Sequence, residues 1–161
     1  MSQICTTPMS EPTDWCARLE AYLYEHIPLC ASMALKASIT PQHELCLSAP
    51  LNPNRNDKGS GFGGSIAALL TIAGWSVIWI ECQRQKVDCD LVIRQSQLRY
   101  HQPAYDELQA CCAFPGPGEW QQFVDCLDRR GLARIERQQR LFSGGLLASS
   151  MTAEYAGVRP G

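Results

Sequence analysis

The sequence predicts an α+β fold in which a curved antiparallel sheet wraps around one long apolar helix. Residues 65–80 carry no charge and are apolar all round. A helix without a polar face has to be covered by other elements or lie in lipid. Six other runs read as strands, and their apolar faces need a helix to cover them. The order is helix, two strands, the apolar helix, two strands, a short helix and two strands. The apolar run falls short of the roughly 20 residues of a membrane span because Glu81 interrupts it. Burial in the sheet is therefore expected, with no membrane span.

Each element has its own signal. Residues 1–12 are polar with two prolines and read as a loose tail before a single domain at 13–161. Residues 14–26 place Trp15, Leu19, Tyr22 and Leu23 on one helical face, with Thr13 to cap the start and Pro28 to end it. Residues 33–40 and 45–51 alternate on either side of Pro41-Gln42-His43, which makes a hairpin. A polar, glycine-rich loop at 52–64 then feeds the apolar helix. After a polar connector at 86–90, residues 91–101 are rich in β-formers but polar on both faces, the mark of a strand at a subunit boundary or a site. Leu108, Ala110, Cys112 and Phe114 alternate as the next strand, and Pro115-Gly116-Pro117-Gly118 breaks the chain. Residues 119–130 form an amphipathic helix through Trp120, Phe123, Val124 and Leu127, closed by Gly131. Residues 132–142 and 146–155 are a last hairpin around Ser143-Gly144-Gly145.

Composition narrows the function classes. The 161 residues suit one domain, and a net charge of −2 with no basic stripe argues against nucleic acid as the main partner. The N-terminus lacks a basic segment followed by an apolar run, so no secretory leader is read and a cytoplasmic location is expected. Nine cysteines are many, but no CxxC pair gives zinc-ligand spacing. Cys46, Cys82, Cys112 and Cys126 sit among apolar residues, so the cysteines read as reduced small hydrophobes. No metal and no cofactor are called for.

The loop Asn54-Arg55-Asn56-Asp57-Lys58-Gly59, followed by Phe62-Gly63-Gly64-Ser65 and a long apolar helix, resembles hotdog-fold thioesterases. The strand ending Leu98-Arg99-Tyr100-His101-Gln102-Pro103 is similar to the hotdog strand that ends in a tyrosine, a polar pair and a proline. Within that superfamily the sequence is most similar to the thioesterase domain that follows an acetyltransferase domain in some bacterial proteins. The resemblance spans roughly residues 27–155, and this chain has no acetyltransferase portion. It implies a hotdog fold, a homodimer or dimer of dimers, and an acyl site between subunits.

Thioester hydrolysis needs donors for the developing oxyanion, a positioned water and an apolar channel. Backbone amides at a helix N-terminus supply the first. The resemblance implies that Gly63 donates the oxyanion N–H, with Gly64 beside it, and that Asn56 orients the water or the carbonyl. Phe62 stands where several relatives have histidine, and with Ser65 it belongs to the expected substrate contacts. Many relatives carry an acid two turns into the central helix, where this sequence has Thr71, which can hold a water but cannot take its proton. Asp57 is the carboxylate nearest in sequence. Ser96, on the boundary strand, could help hold the water, and His101 is a further candidate. Each residue also has a plainer reading: a tight turn for the glycines, an Asx turn for Asn56, a solvated charge for Asp57. The expected activity is hydrolysis of acyl-CoA or acyl-carrier-protein thioesters. A non-catalytic acyl-binding protein and a hotdog dehydratase or hydratase are the alternatives, the last disfavoured by Phe62 in place of histidine.

Overall fold

Period-two alternation and one all-apolar helix produce the expected arrangement. In the computed structural model, which describes residues 12–161, six strands form one antiparallel sheet around that helix. Residues 1–11, most of the segment read as a loose tail, lie outside the described residues, as does the side chain of Thr13. The elements in order are α1 (Pro12–His26), α2 (Pro28–Ser32), β1 (Lys36–Ile39), β2 (Glu44–Ala49), α3 (Gly63–Gln85), β3 (Asp90–Tyr100), β4 (Leu108–Ala113), α4 (Pro117–Arg130), β5 (Leu132–Ser143) and β6 (Leu146–Val158). Across the sheet the strands run β1-β2-β4-β5-β6-β3. Every neighbouring pair is antiparallel.

Several boundaries differ from the sequence reading, α4 starting at Pro117 and β6 running on to Val158 among them. Pro28 both follows α1 and opens the short α2, because its fixed φ suits a first helical position. The first strand consequently starts at Lys36: Ala34 turns the chain with φ 55°, and buried Met33 and Leu35 precede the ladder. The apolar helix is longer than expected, 23 residues: it begins already at Gly63, and it runs on past Ile80 with Glu81 paired to Arg84 at 3.1 Å. By length and composition it could cross a membrane. In the fold it packs against β2, β3, β4, β5 and β6, and its core residues include Leu69, Leu70, Val77 and Ile78.

Polar contacts fix α3 on the sheet. β5 alternates strictly, with Ala133, Ile135, Arg137, Gln139 and Leu141 facing inward. From that row Gln139 Nε2 donates to the Leu70 carbonyl at 3.3 Å and to the Tyr155 hydroxyl at 2.8 Å. Tyr155 in turn donates to the Thr71 carbonyl at 2.7 Å, and burial holds its phenol above the usual range. Gly74 makes this possible, since a Cβ there would collide with both side chains. α4 packs against β5, burying Trp120, Phe123 and Leu127, and Gly131 closes it in the left-handed region as expected.

The expectation of reduced cysteines fails at one pair. Cys46 of β2 and Cys111 of β4 are direct cross-strand partners, with Cα atoms 4.2 Å apart, and they form a disulfide. Their separation of 65 residues hides the pairing until the strands are placed side by side. Cys16, Cys30, Cys82 and Cys112 are buried free thiols, and Cys89 and Cys126 are half-buried.

Candidate active site

The loop before α3 is built by its own side chains. Asn54 is buried and donates from Nδ2 to the Met33 and Pro50 carbonyls at 3.0 and 2.8 Å. Its carbonyl accepts the Phe62 N–H at 2.7 Å, so one residue fixes both ends of the loop. Asn56 Oδ1 accepts from the Lys58 and Ser60 amides at 2.9 and 3.1 Å, and Nδ2 donates to Ser60 Oγ at 3.0 Å. That is an Asx turn: its amide is turned into the loop. Gly59 takes φ +81°, the positive value this turn demands.

The loop delivers a helix start with unclaimed donors. Phe62 is the N-cap residue and makes no side-chain cap bond. The first N–H groups of a helix have no partner within it. Here the first amide that pairs back is Ile66, to the Phe62 carbonyl at 3.0 Å, which leaves Gly63, Gly64 and Ser65 without a backbone partner among the described residues. Phe62 is 53% exposed, and its ring lies so close over Gly64 that a Cβ there would collide with it.

β3 forms the other wall. Its inward positions next to β6 include Ser96, Leu98 and Tyr100, opposite Ala153, Met151 and Ser149. The Tyr100 hydroxyl donates to the Gly63 carbonyl at 2.8 Å. In a trans peptide the carbonyl and the following N–H point in opposite directions. Holding the Gly63 oxygen therefore sets the direction of the Gly64 N–H. Thr71, two turns into α3, is half-buried, and among the described residues its hydroxyl has only the Met151 sulfur at 3.9 Å, a weak acceptor. Ser96 is exposed.

The structure thus gathers Phe62, Gly63, Gly64, Ser65 and Tyr100 at one point, with Thr71 along the same helix. It does not bring the Asn56 amide there. Asp57 is also apart: its side chain is 81% exposed and pairs with Lys58 at 3.3 Å. His101 is bound to Ser150 Oγ at 2.8 Å. Tyr100 is the residue that reading the chain left without a role. A cavity of ≈ 460 Å³ opens on the other face of the sheet, where Gln97, Arg99, Gln138 and Arg140 point. It is polar, with Arg140 tied to Glu44 at 2.6 Å, and it does not adjoin the free amides by this alternation.

Free amides beside an exposed aromatic ring and an open strand can receive a polarised carbonyl with an apolar tail. A protein of unknown function from Chlorobaculum tepidum TLS superposes with a TM-score of 0.87 at 26% identity, over 92% of this chain and 97% of its own. A "putative thioesterase" from Shewanella oneidensis gives 0.80 at 27% identity, over 91% and 99%. A thioesterase from Haemophilus influenzae shares the fold at 11% identity, with a TM-score of 0.67 over 89% and 90%. The family described as "Putative thioesterase (yiiD_Cterm)" matches residues 16–159, and the chain belongs to this family of hotdog-fold thioester hydrolases.

Proposed function

We propose that the chain hydrolyses acyl thioesters of coenzyme A or acyl-carrier protein at the start of α3, in a homodimer or dimer of dimers joined along β3. One observation carries the reading: the Gly63, Gly64 and Ser65 amides are uncapped and open beside Phe62. The thioester carbonyl accepts from the Gly63 and Gly64 N–H groups. Water held by Thr71 and by Ser96 attacks the carbonyl carbon. The water gives up a proton as it adds, the C–S bond breaks to leave the carboxylic acid, and the departing thiolate takes up a proton in its place. Phe62 and Ser65 contact the acyl group. Asn56 acts through the shape of the loop. Asp57 serves as the proton acceptor only where a second copy of the chain covers it, because alone it faces solvent beside Lys58.

The dimer is supported by β3 itself. It is the outer strand of the sheet, eleven residues long, and exposed along most of its length. Such an edge invites pairing with another strand. We further propose a cytoplasmic setting, where both acyl carriers are substrates; the Cys46–Cys111 bridge is unusual there.

A thiol-release assay over a panel of acyl-CoA chain lengths tests the reading, with Gly63→Val as the control. A Cβ at Gly63 already comes within 3.3 Å of the Tyr100 hydroxyl, and a branched side chain fills the space for the carbonyl. Losing one oxyanion donor costs about 3 kcal/mol, so turnover should fall at least about a hundredfold. Hydrolysis that survives in folded Gly63→Val puts the oxyanion elsewhere. Acyl-CoA binding without thiol release by the unaltered chain would mean an acyl-binding protein, which the lack of a carboxylate at Thr71 would then explain.

A further inference from the structure

The last turn of α3 and the approach to β3 bring together two thiols that the reaction above does not use. Cys82 Sγ and Cys89 Sγ lie 3.8 Å apart. The chain between them reverses through Lys86 in the left-handed region, and the Val87 amide closes onto the Cys82 carbonyl at 2.9 Å. Cys82 is 4% exposed, whereas Cys89 is half-buried and reaches solvent. Both cysteines line a cavity of ≈ 260 Å³, together with Tyr22, Trp75 and Trp79. An access route to Cys89 and a space lined by both residues are therefore present.

We propose that Cys82 and Cys89 form a dithiol site that exchanges with low-molecular-weight disulfides, with Cys89 attacking and Cys82 resolving. The Cys89 thiolate attacks one sulfur of the disulfide. The old S–S bond breaks, one thiolate leaves and takes up a proton, and a mixed disulfide remains on Cys89. Cys82 then loses its proton to solvent and attacks the Cys89 sulfur, expelling the second thiol. Two protein thiols are oxidised, and one small disulfide is reduced to two thiols. A disulfide needs its sulfurs about 2 Å apart, so the pair must close by a little under 2 Å. Cys89 lies in the connector at 86–89, outside helix and strand, where such a shift breaks no ladder.

Exposure assigns the two roles, Cys89 reaching solvent and Cys82 being buried, and the charges around Cys89 bear on its thiol. The Cys82 thiol, by hydrogen bonding to Cys89, holds the Cys89 thiol below its usual range. Burial opposes this, the Arg159 guanidinium adds to it, and the Asp88 and Asp90 carboxylates oppose it. Arg159 is fixed by donating to the Asp88 carbonyl at 2.6 Å. Cys82 is pushed up, first by the same bond and then by burial. An accessible sulfur attacks, and a buried neighbour resolves.

Glutathione disulfide added to the full chain, followed by alkylation and peptide mass mapping, tests the site. The unaltered chain should form a Cys82–Cys89 disulfide without a lasting adduct. Cys82→Ser should stop at one glutathione on Cys89, and Cys89→Ser should leave Cys82 unmodified. The half-buried Cys126 is the internal control, and Cys89 should react on the order of tenfold faster than it. Equal rates at Cys89 and Cys126, or no adduct on Cys89 in Cys82→Ser, would overturn the proposal. These readouts are independent of thioester hydrolysis, so they stand or fall apart from it.

Discussion

The Tyr100 hydroxyl touches no substrate in the proposed reaction, yet it holds the Gly63 carbonyl and through it aims the Gly64 N–H. Tyr100→Phe keeps the ring and removes only that bond. An internal hydrogen bond of this kind is worth about 1 kcal/mol. The variant should therefore lose roughly fivefold in kcat, with little change in KM, since the carbonyl needs its donors most in the transition state. Thiol-release kinetics measure both, and an unchanged kcat would mean that the helix start holds itself. At this scale the sequence was legible where contacts are local. Phe62 and Gly63 stand at the start of α3, and Gly59 takes its turn. The Tyr100 bond spans 37 positions, and nothing in the local pattern announces it. Asn56 was legible as a loop residue, but the direction of its amide depended on Ser60 and Lys58, and it turned inward.

Among the elements, β2 and β4 are joined by more than their ladder. The Cys46–Cys111 bridge closes a loop of 65 residues that contains all of α3 and β3. In the chain-entropy view, opening a loop of that length costs about 4 kcal/mol of stability, the unfolded chain regaining its freedom. Urea unfolding of the unaltered protein, with and without reductant, should show a lower midpoint in the reduced sample. Cys46→Ser should match the reduced sample and be insensitive to reductant. A midpoint unaffected by reductant would mean that the bridge contributes nothing to stability. The strands and helices themselves were readable from period alone, as the strict alternation of β5 shows. Boundaries were not. Pro28 opened a helix because the chain beyond it could continue helical, and Glu81 stayed in α3, paired to Arg84 at 3.1 Å. Such outcomes are decided by neighbours rather than by patterns.

At the scale of the whole molecule, the all-apolar helix required a cover and the six strands required a core, so the fold class followed from composition of faces. The strand order β1-β2-β4-β5-β6-β3 did not, because it depends on which edges meet. It leaves β3 at one edge, with Val92 51% and Ile93 41% exposed. Sedimentation at micromolar concentration should find no substantial monomer, and Val92→Lys with Ile93→Lys should produce one, since edge charges block strand pairing. A monomeric unaltered chain would remove the shared site. The core also sets a pH limit. Burial pushes the Cys112 thiol from 9.0 up to about 12, chiefly by desolvation. Between those values the folded chain keeps a proton that the unfolded chain has lost. Stability from this group is thus fully present below pH 9 and falls as pH rises toward 12. The loss is about 1.4 kcal/mol per pH unit for one such group, and up to about 4 kcal/mol across the window. Cys16, Cys30 and Tyr155 are raised in the same direction and add to the slope. Urea midpoints measured from pH 8 upward for the unaltered chain and for Cys112→Ala isolate the single thiol. The variant should start less stable, because its cavity costs packing, and then converge on the unaltered chain as pH climbs. Parallel curves would show that the Cys112 thiol is not held neutral by the core.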